Sequence, residues 1–349
     1  MNTLKRFLAG LDSIPTAMSW QLADLGEAKG RQQLFIKQTP QKLKALRENA
    51  LVESAVSSNR IEGVEVAPDR VKPALFGKPH LRDRSEEELR GYRRALDWIH
   101  REGAGLGITE TCILELHQLI RAGAADGGRY KEKDSDIIEK YPDGRQRVRF
   151  RTVTAKKTPA AVRGLAGDWT RLEGESRVPD LVLMAGFNLD FLCIHPFRGG
   201  NGRVSRLLLL LQSYHFGYEV GRYISLERLI EQNKERYYET LEISSRDWHE
   251  GKHDPWPYVN FLLFILKEAY REFEDRLGRF GEPRGAKTDV VMAALRGMRG
   301  RFRMADLQAA CPAVSVDMIR RVLKDLRCDG RVQCLGRGRS AEWERKGKW

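Results

Sequence analysis

One stretch limits the fold more than any other: His195-Pro196-Phe197-Arg198-Gly199-Gly200-Asn201-Gly202-Arg203-Val204-Ser205-Arg206. An apolar run from Phe187 to Ile194 leads into it, and Leu207 to Leu211 lead out. A glycine-rich polar loop therefore lies between two segments that read as buried helix. Pro196 biases its predecessor away from the α region and should end the first helix. The glycines let the backbone turn and let a ligand approach closely. Asn201 is expected to cap the second helix. The first turn of that helix offers free N–H groups and a positive dipole end. Arg203 and Arg206 add two guanidinium forks suited to phosphate. Taken singly, a histidine is usually a satisfied structural residue and Gly-Gly-Asn-Gly usually a turn. The joint spacing makes an anion cradle with His195 at its rim.

The rest of the composition sets limits. The chain has 349 residues, 41% apolar and 31% charged, as in soluble globular proteins of two or three domains. Met1 to Trp20 carries Lys5 and Arg6 but no long apolar region, so no signal peptide is expected. No apolar run reaches the length of a membrane span. Cys112, Cys193, Cys311, Cys328 and Cys334 form no C-x-x-C pair, which argues against structural zinc and a disulfide framework. The expected location is cytoplasmic, away from membranes. Net charge is +13, and residues 285–349 alone hold 15 Lys and Arg against 7 Asp and Glu, a net +8. That end is built for an acidic partner.

Residues 1–40 read as an irregular arm with one helix. Gln41 to Asn59 reads as a helix running into Ser58-Asn59-Arg60-Ile61-Glu62-Gly63, with Gly63 as its end. Pro68 to Arg84, broken by Pro73, Gly77 and Pro79, reads as a connector. Ser85 followed by Glu86, Glu87 and Glu88 starts a helix that ends near Gly103. Thr109 caps another, Glu110 to Ala122, in which His117 is expected to be a structural histidine with a local partner. Asp134 to Val153 reads as a hairpin around Tyr141-Pro142-Asp143-Gly144. Its second strand has one basic face of Arg147, Arg149 and Arg151. Pro159 to Leu172, Leu181 to Cys193, Leu207 to Phe216, Glu227 to Ile243 and Trp256 to Phe273 read as helices.

After a glycine- and arginine-rich linker, 276–287, come helices at Asp289 to Met298, Met304 to Ala310 and Ser315 to Leu326. A hairpin follows, with Gly336-Arg337-Gly338-Arg339 at its tip. The order looks like a winged helix-turn-helix. Arg320, Arg321 and Lys324 on its third helix, with Arg337 and Arg339 on the wing, would then meet DNA. Such domains also serve as protein-docking modules.

The central stretch closely resembles the Fic family signature, H-x-F-x-[D/E]-G-N-G-R-x-x-R. His195, Phe197, Gly200, Asn201, Gly202, Arg203 and Arg206 fall in register. Gly199 departs, standing where the family has the acid that holds Mg²⁺ on the nucleotide. Ser58, Glu62 and Gly63 match the family's inhibitory motif, [S/T]-x-x-x-E-[G/N]. Gly127 to Lys131 resembles the segment before the family's hairpin, with Lys131 in an arginine's place. The resemblance covers roughly residues 50–275.

It implies a mainly α fold: a helical bundle with a small β-hairpin flap and a C-terminal winged helix. The expected divisions are an N-terminal region 1–100 with an inhibitory helix at about 41–63, a core 101–275, the linker 276–287 and a tail domain 288–349. The implied activity is transfer of AMP from ATP, with Mg²⁺, to a Ser, Thr or Tyr hydroxyl of a protein. His195 would be the general base. Gly200, Asn201, Gly202, Arg203 and Arg206 would hold the phosphates. Asn233, Tyr237 and Tyr238 would lie beside the adenine. Arg149, Phe150, Arg151, Thr152 and Val153 would dock the target by strand addition. Glu62 would inhibit by pairing with Arg206, and no protein metal ligand is expected at Gly199. Two alternatives stay open: removal of AMP from a modified protein with Glu62 orienting water, and a DNA-binding regulator whose cradle senses a nucleotide. Self-modification and a homodimer are further expected partnerships.

Overall fold

The structure is a computed structural model. It describes all residues except 1, 12, 39, 78–80, 122, 141–142, 281–285, 299, 312–313, 337, 339–340 and 347–349. Two compact units divide it, residues 1–274 and 275–349. The first carries α1 (Thr3–Ala9), α2 (Thr16–Gln38), α3 (Pro40–Ile61), α4 (Pro68–Phe76), α5 (Arg84–Glu102) and α6 (Glu110–Ile120). Then come β1 (Ile137–Lys140), β2 (Gln146–Phe150), α7 (Thr158–Glu175), α8 (Asp180–Ile194), α9 (Asn201–His215), α10 (Leu226–Gln232), α11 (Lys234–Ser245) and most of α12 (Trp256–Phe280), whose last residues fall in the second unit.

The helical pair α8 and α9 is central. Every residue of α8 from Leu181 to Ile194 is buried, so the pair is driven together by apolar burial alone. One polar knot fixes its register near the loop. Asn188 donates to the Ser205 carbonyl at 2.8 Å and accepts from Ser205 Oγ at 2.9 Å and Tyr258 OH at 2.7 Å. With all its polar atoms partnered, such a knot specifies one packing. Strands β1 and β2 pair antiparallel, with Ile138 opposite Val148 and Glu139 opposite Arg147. The expected hairpin is present; Tyr141 and Pro142 of its turn lie outside the described residues.

Several sequence expectations are corrected by long-range contacts. The arm 1–40 forms two helices rather than one. The buried Asp190 carboxylate of α8 accepts the Thr3 and Leu4 N–H groups at 2.9 Å each, so a partner far along the chain caps α1. Residues 68–76 are helix, not connector. Pro68 suits the first helical turn, and Arg90 and Arg93 of α5 bond the carbonyls of Ala74 and Leu75 at 2.8 and 2.7 Å. These bonds satisfy last-turn carbonyls that have no donor within the helix. Asp83, rather than Ser85, caps α5, its carboxylate taking the Glu86 N–H at 2.9 Å. The helix expected from Glu227 to Ile243 breaks at Asn233. Its side-chain amide takes the Leu229 carbonyl at 2.9 Å, and its own N–H turns to Ile230. This is a local competition against helix that asparagine favours. Helices α1 to α5 pack within the first unit.

The second unit carries α13 (Ala286–Gly297), β3 (Phe302–Arg303), α14 (Met304–Ala310), α15 (Val316–Cys328), β4 (Val332–Cys334) and β5 (Glu342–Arg345). Its sheet order is β3-β5-β4, both pairs antiparallel. Strand β3 was not legible as a strand at two residues. Val291, Leu295, Leu307, Ile319, Leu323 and Val332 form its core. Ser315 caps α15 as expected, accepting the Met318 N–H at 3.4 Å. The linker is shorter than 276–287, since 276–280 continue α12 and α13 begins at 286.

Candidate active site

The site begins where α8 stops. His195 is its C-cap, with φ 52° and ψ 62°. A non-glycine residue enters this left-handed region at a cost, and Pro196 explains it by closing the right-handed one. Burial pushes the His195 imidazole down to about 4; the Lys131 charge adds to this, and the Leu192 backbone and Glu62 oppose it only in part. The ring is therefore neutral near pH 7 and free to accept a proton. Lys131 is built into the same corner. Its Nζ donates to Thr152 Oγ1 at 2.7 Å and to the Ile194 carbonyl at 3.3 Å, and its backbone N–H donates to Pro196 at 2.9 Å. Burial lowers its ammonium to about 8.

The loop then turns through Gly200, which caps α9 at φ 84°, a conformation glycine adopts without strain. Asn201 is not the cap that its type suggested. It is the first helical residue, and its side chain accepts the Phe197 N–H at 2.9 Å and donates to the Phe197 carbonyl at 2.8 Å. It clamps the loop from inside. His117 reaches the same loop, although its expected partner was local. Its ring stacks on Phe197 with centroids 3.7 Å apart, and Nε2 meets the Gly199 carbonyl at 3.0 Å.

The two arginines are buried and anchored. Arg203 Nη1 donates to Glu88 at 2.8 Å and to Asn59 at 3.0 Å. Arg206 donates through Nε to Ser58 Oγ at 2.8 Å and through Nη2 to the Ser58 carbonyl at 2.9 Å and Glu62 at 2.8 Å. Burial lowers the Arg206 pKa, but Glu62, Tyr237 and Tyr92 outweigh it and the net shift is upward. Arg203 Nε and Arg206 Nη1 are buried with no hydrogen-bond partner among the described residues. Glu62 follows the last turn of α3, and Gly63 after it sits at φ 77°. The Glu62 carboxylate touches the position a Cβ on Gly202 would fill, so only glycine allows this approach.

A cavity of about 240 Å³ opens here, lined by His195, Glu62, Gly202, Arg149, Phe150, Tyr237 and Tyr238 among others. Asn233 does not line it. The flap is turned partly inward: Arg149 donates to the Tyr238 carbonyl, and Arg147 donates to Glu139 at 2.8 Å and Glu242 at 2.9 Å. Its basic face therefore holds α11. Thr152 is buried under Lys131, and the Arg151 carbonyl meets His249 Nε2 at 2.7 Å. Val153 is partly buried.

A Cβ on Gly199 would meet nothing within 4 Å. Among the described residues, no group of three or more His, Cys, Asp or Glu could hold a metal ion. Sequence reasoning missed Glu88, Asn59, Asp190 and Lys131's role, because each acts across the fold. On α15, Arg320 pairs with Asp317 at 3.0 Å, while Arg321 and Lys324 are exposed. Arg337 and Arg339 lie outside the described residues. No helix among the described residues is long and apolar enough to cross a membrane.

Residues 107–213 match the Fic/DOC family model. The chain is similar to a solved Fic family protein from Desulfovibrio desulfuricans, at 23% identity and TM-score 0.63, covering 97% of this chain and 98% of that one. It is similar to a Fic domain containing signaling protein from Bacteroides thetaiotaomicron, at 21% identity and TM-score 0.61, covering 73% of this chain and 97% of that one. It is also similar to Fic-1 from C. elegans, at 18% identity and TM-score 0.57, covering 75% and 73%. The family match makes residues 107–213 a Fic/DOC domain, and the solved structures share its fold.

Proposed function

We propose that the chain transfers AMP from ATP to a protein hydroxyl and that Glu62 holds the site inhibited. One placement carries this reading. Glu62 pairs with Arg206 at 2.8 Å and lies on Gly202 at the N-terminus of α9, in the cavity that His195 lines. A helix N-terminus and a buried arginine form an anion site, here filled by the protein's own anion. ATP would displace it, the terminal phosphate taking Arg206. The neutral His195 would take the proton of a Ser, Thr or Tyr hydroxyl. The hydroxyl oxygen bonds to the α-phosphorus, the bond to the β-phosphate oxygen breaks, and pyrophosphate leaves. The free N–H groups of the first turn of α9, with Arg203, stabilise the developing charge.

Tyr237 and Tyr238 would frame the base. The end of β2 at Phe150 and the segment Arg151, Thr152 and Val153 after it would receive the target, self-modification being the simplest case. Mg²⁺ would come with the nucleotide, held by phosphates and water. Gly199 offers it no carboxylate, and slow turnover is expected. The Glu62 placement also supports removal of AMP from a modified protein, with Glu62 orienting the water. For the second unit the reading is a winged helix whose Arg320, Arg321 and Lys324 face duplex phosphates.

ATP labelled at the α-phosphate tests this. Label on the protein that rises in Glu62→Gly supports inhibited transfer. Loss of label from modified protein, faster in wild type than in Glu62→Gly, supports removal. ATP bound without either reaction points to a nucleotide-sensing regulator.

A further inference from the structure

His117 lies on α6, far from the signature in sequence, and is fully buried. Its two ring nitrogens have unlike partners. The Gly128 N–H can only donate, and it meets Nδ1 at 3.1 Å. The Gly199 carbonyl can only accept, and it meets Nε2 at 3.0 Å. One neutral tautomer satisfies both, with the proton on Nε2. Phe197 clamps the ring face to face, with an interplanar angle of 6°. The ring therefore has no freedom to turn or to change tautomer.

The consequence falls on the next peptide. In a planar trans peptide the carbonyl and the following N–H point in opposite directions. Holding the Gly199 carbonyl against His117 turns the Gly200 N–H away from the ring. Gly199 and Gly200 have no side chains to fix this peptide themselves, and a Cβ on Gly199 would meet nothing within 4 Å. We propose that His117 is a positioning residue for nucleotide binding: its Nε2–H orients the Gly199–Gly200 peptide so that the Gly200 N–H faces the phosphates. This deepens the proposed function and rests on its anion cradle. It gives the cradle a support that the missing acid at 199 does not provide.

Two conservative variants separate the two ring bonds. In His117→Gln the amide nitrogen can replace Nε2 toward Gly199. In His117→Asn the amide oxygen can replace Nδ1 toward Gly128, but nothing reaches Gly199. Both are made in full-length Glu62→Gly protein, and ATP affinity is measured by calorimetry beside the melting temperature. Loss of one oriented donor is worth about tenfold in affinity. The expected result is that Asn weakens ATP binding about tenfold while Gln stays within about threefold, at similar melting temperatures. Equal weakening by both variants, or none by Asn, overturns the inference. No ATP binding by the Glu62→Gly parent overturns it together with the proposed function. ATP binding without AMP transfer overturns only the latter.

Discussion

Glu62 and Arg206 meet at 2.8 Å across the mouth of the cradle, the arginine side chain 2% exposed and the carboxylate 28% exposed. The arginine is thus the fixed partner and the glutamate the removable one. Glu62→Gly leaves Arg206 both bonds to Ser58. The buried guanidinium then lacks a counter-charge, so stability should fall by about 3 kcal/mol. ATP affinity should rise together with transfer, and calorimetry against wild type reads the former. Unchanged affinity would mean that Glu62 does not compete with the nucleotide.

His195→Ala should reduce transfer by about 10²–10⁴, the usual worth of a positioned base. The active form is the neutral ring, and the ring protonates only near pH 4. In the Glu62→Gly protein, transfer should therefore stay nearly level from pH 8 to pH 5. Glu62 is one of the influences that raise this pKa, so its removal moves the acid limb no higher. A limb centred near pH 6.5 would show a hydrated, exposed imidazole.

How much of this was readable beforehand differs by element. The α8–loop–α9 core was legible, because Phe187 to Ile194 and Leu207 to Leu211 leave no choice but burial around a polar turn. Ser58 and Glu62 were legible as a pattern, and Tyr237 and Tyr238 line the cavity. The supports were not. Glu88 beneath Arg203, Asp190 beneath α1 and His117 behind Gly199 act over 82 to 187 residues of chain. Nothing local marks such partners. Asn201 and Asn233 misled for a related reason, since an asparagine amide serves a cap, a clamp or a break depending on what the fold brings near it.

Gly199→Asp in the Glu62→Gly background should raise Mg²⁺-dependent transfer at least tenfold, a cautious fraction of the 10²–10³ that one electrostatic contact supplies. The space is open and Gly199 has no positive φ, so the new side chain enters without strain. Initial rates against Mg²⁺ check this. Unchanged rate and metal dependence would mean that a carboxylate at 199 does not reach the reacting phosphates.

Stability should fall in acid. Burial holds His100 near 3 and His117, His195 and His253 near 4, against about 6.5 unfolded. The unfolded chain therefore takes up protons first. Their contribution is complete above pH 6.5 and is lost as pH falls toward 4. Asp190, raised by burial to about 6, works the other way, as do Asp97, Asp168 and Asp180, which burial also raises. The urea midpoint should drop between pH 7 and pH 5; a constant midpoint would mean that these rings are charged in the fold.

Arg321→Glu with Lys324→Glu should weaken duplex DNA binding and lower the salt slope by about 2. Deleting residues 285–349 should do the same and leave self-modification largely intact. Duplex binding that survives the deletion would remove the second unit from any role in nucleic-acid contact.

The most direct measurement is incorporation of α-phosphate label from ATP into full-length wild type, Glu62→Gly, and Glu62→Gly with His195→Ala, side by side. The expected order is weak, at least tenfold stronger, and none. Equal label in the first two would contradict inhibition by Glu62, and label persisting in the third would contradict His195 as the base.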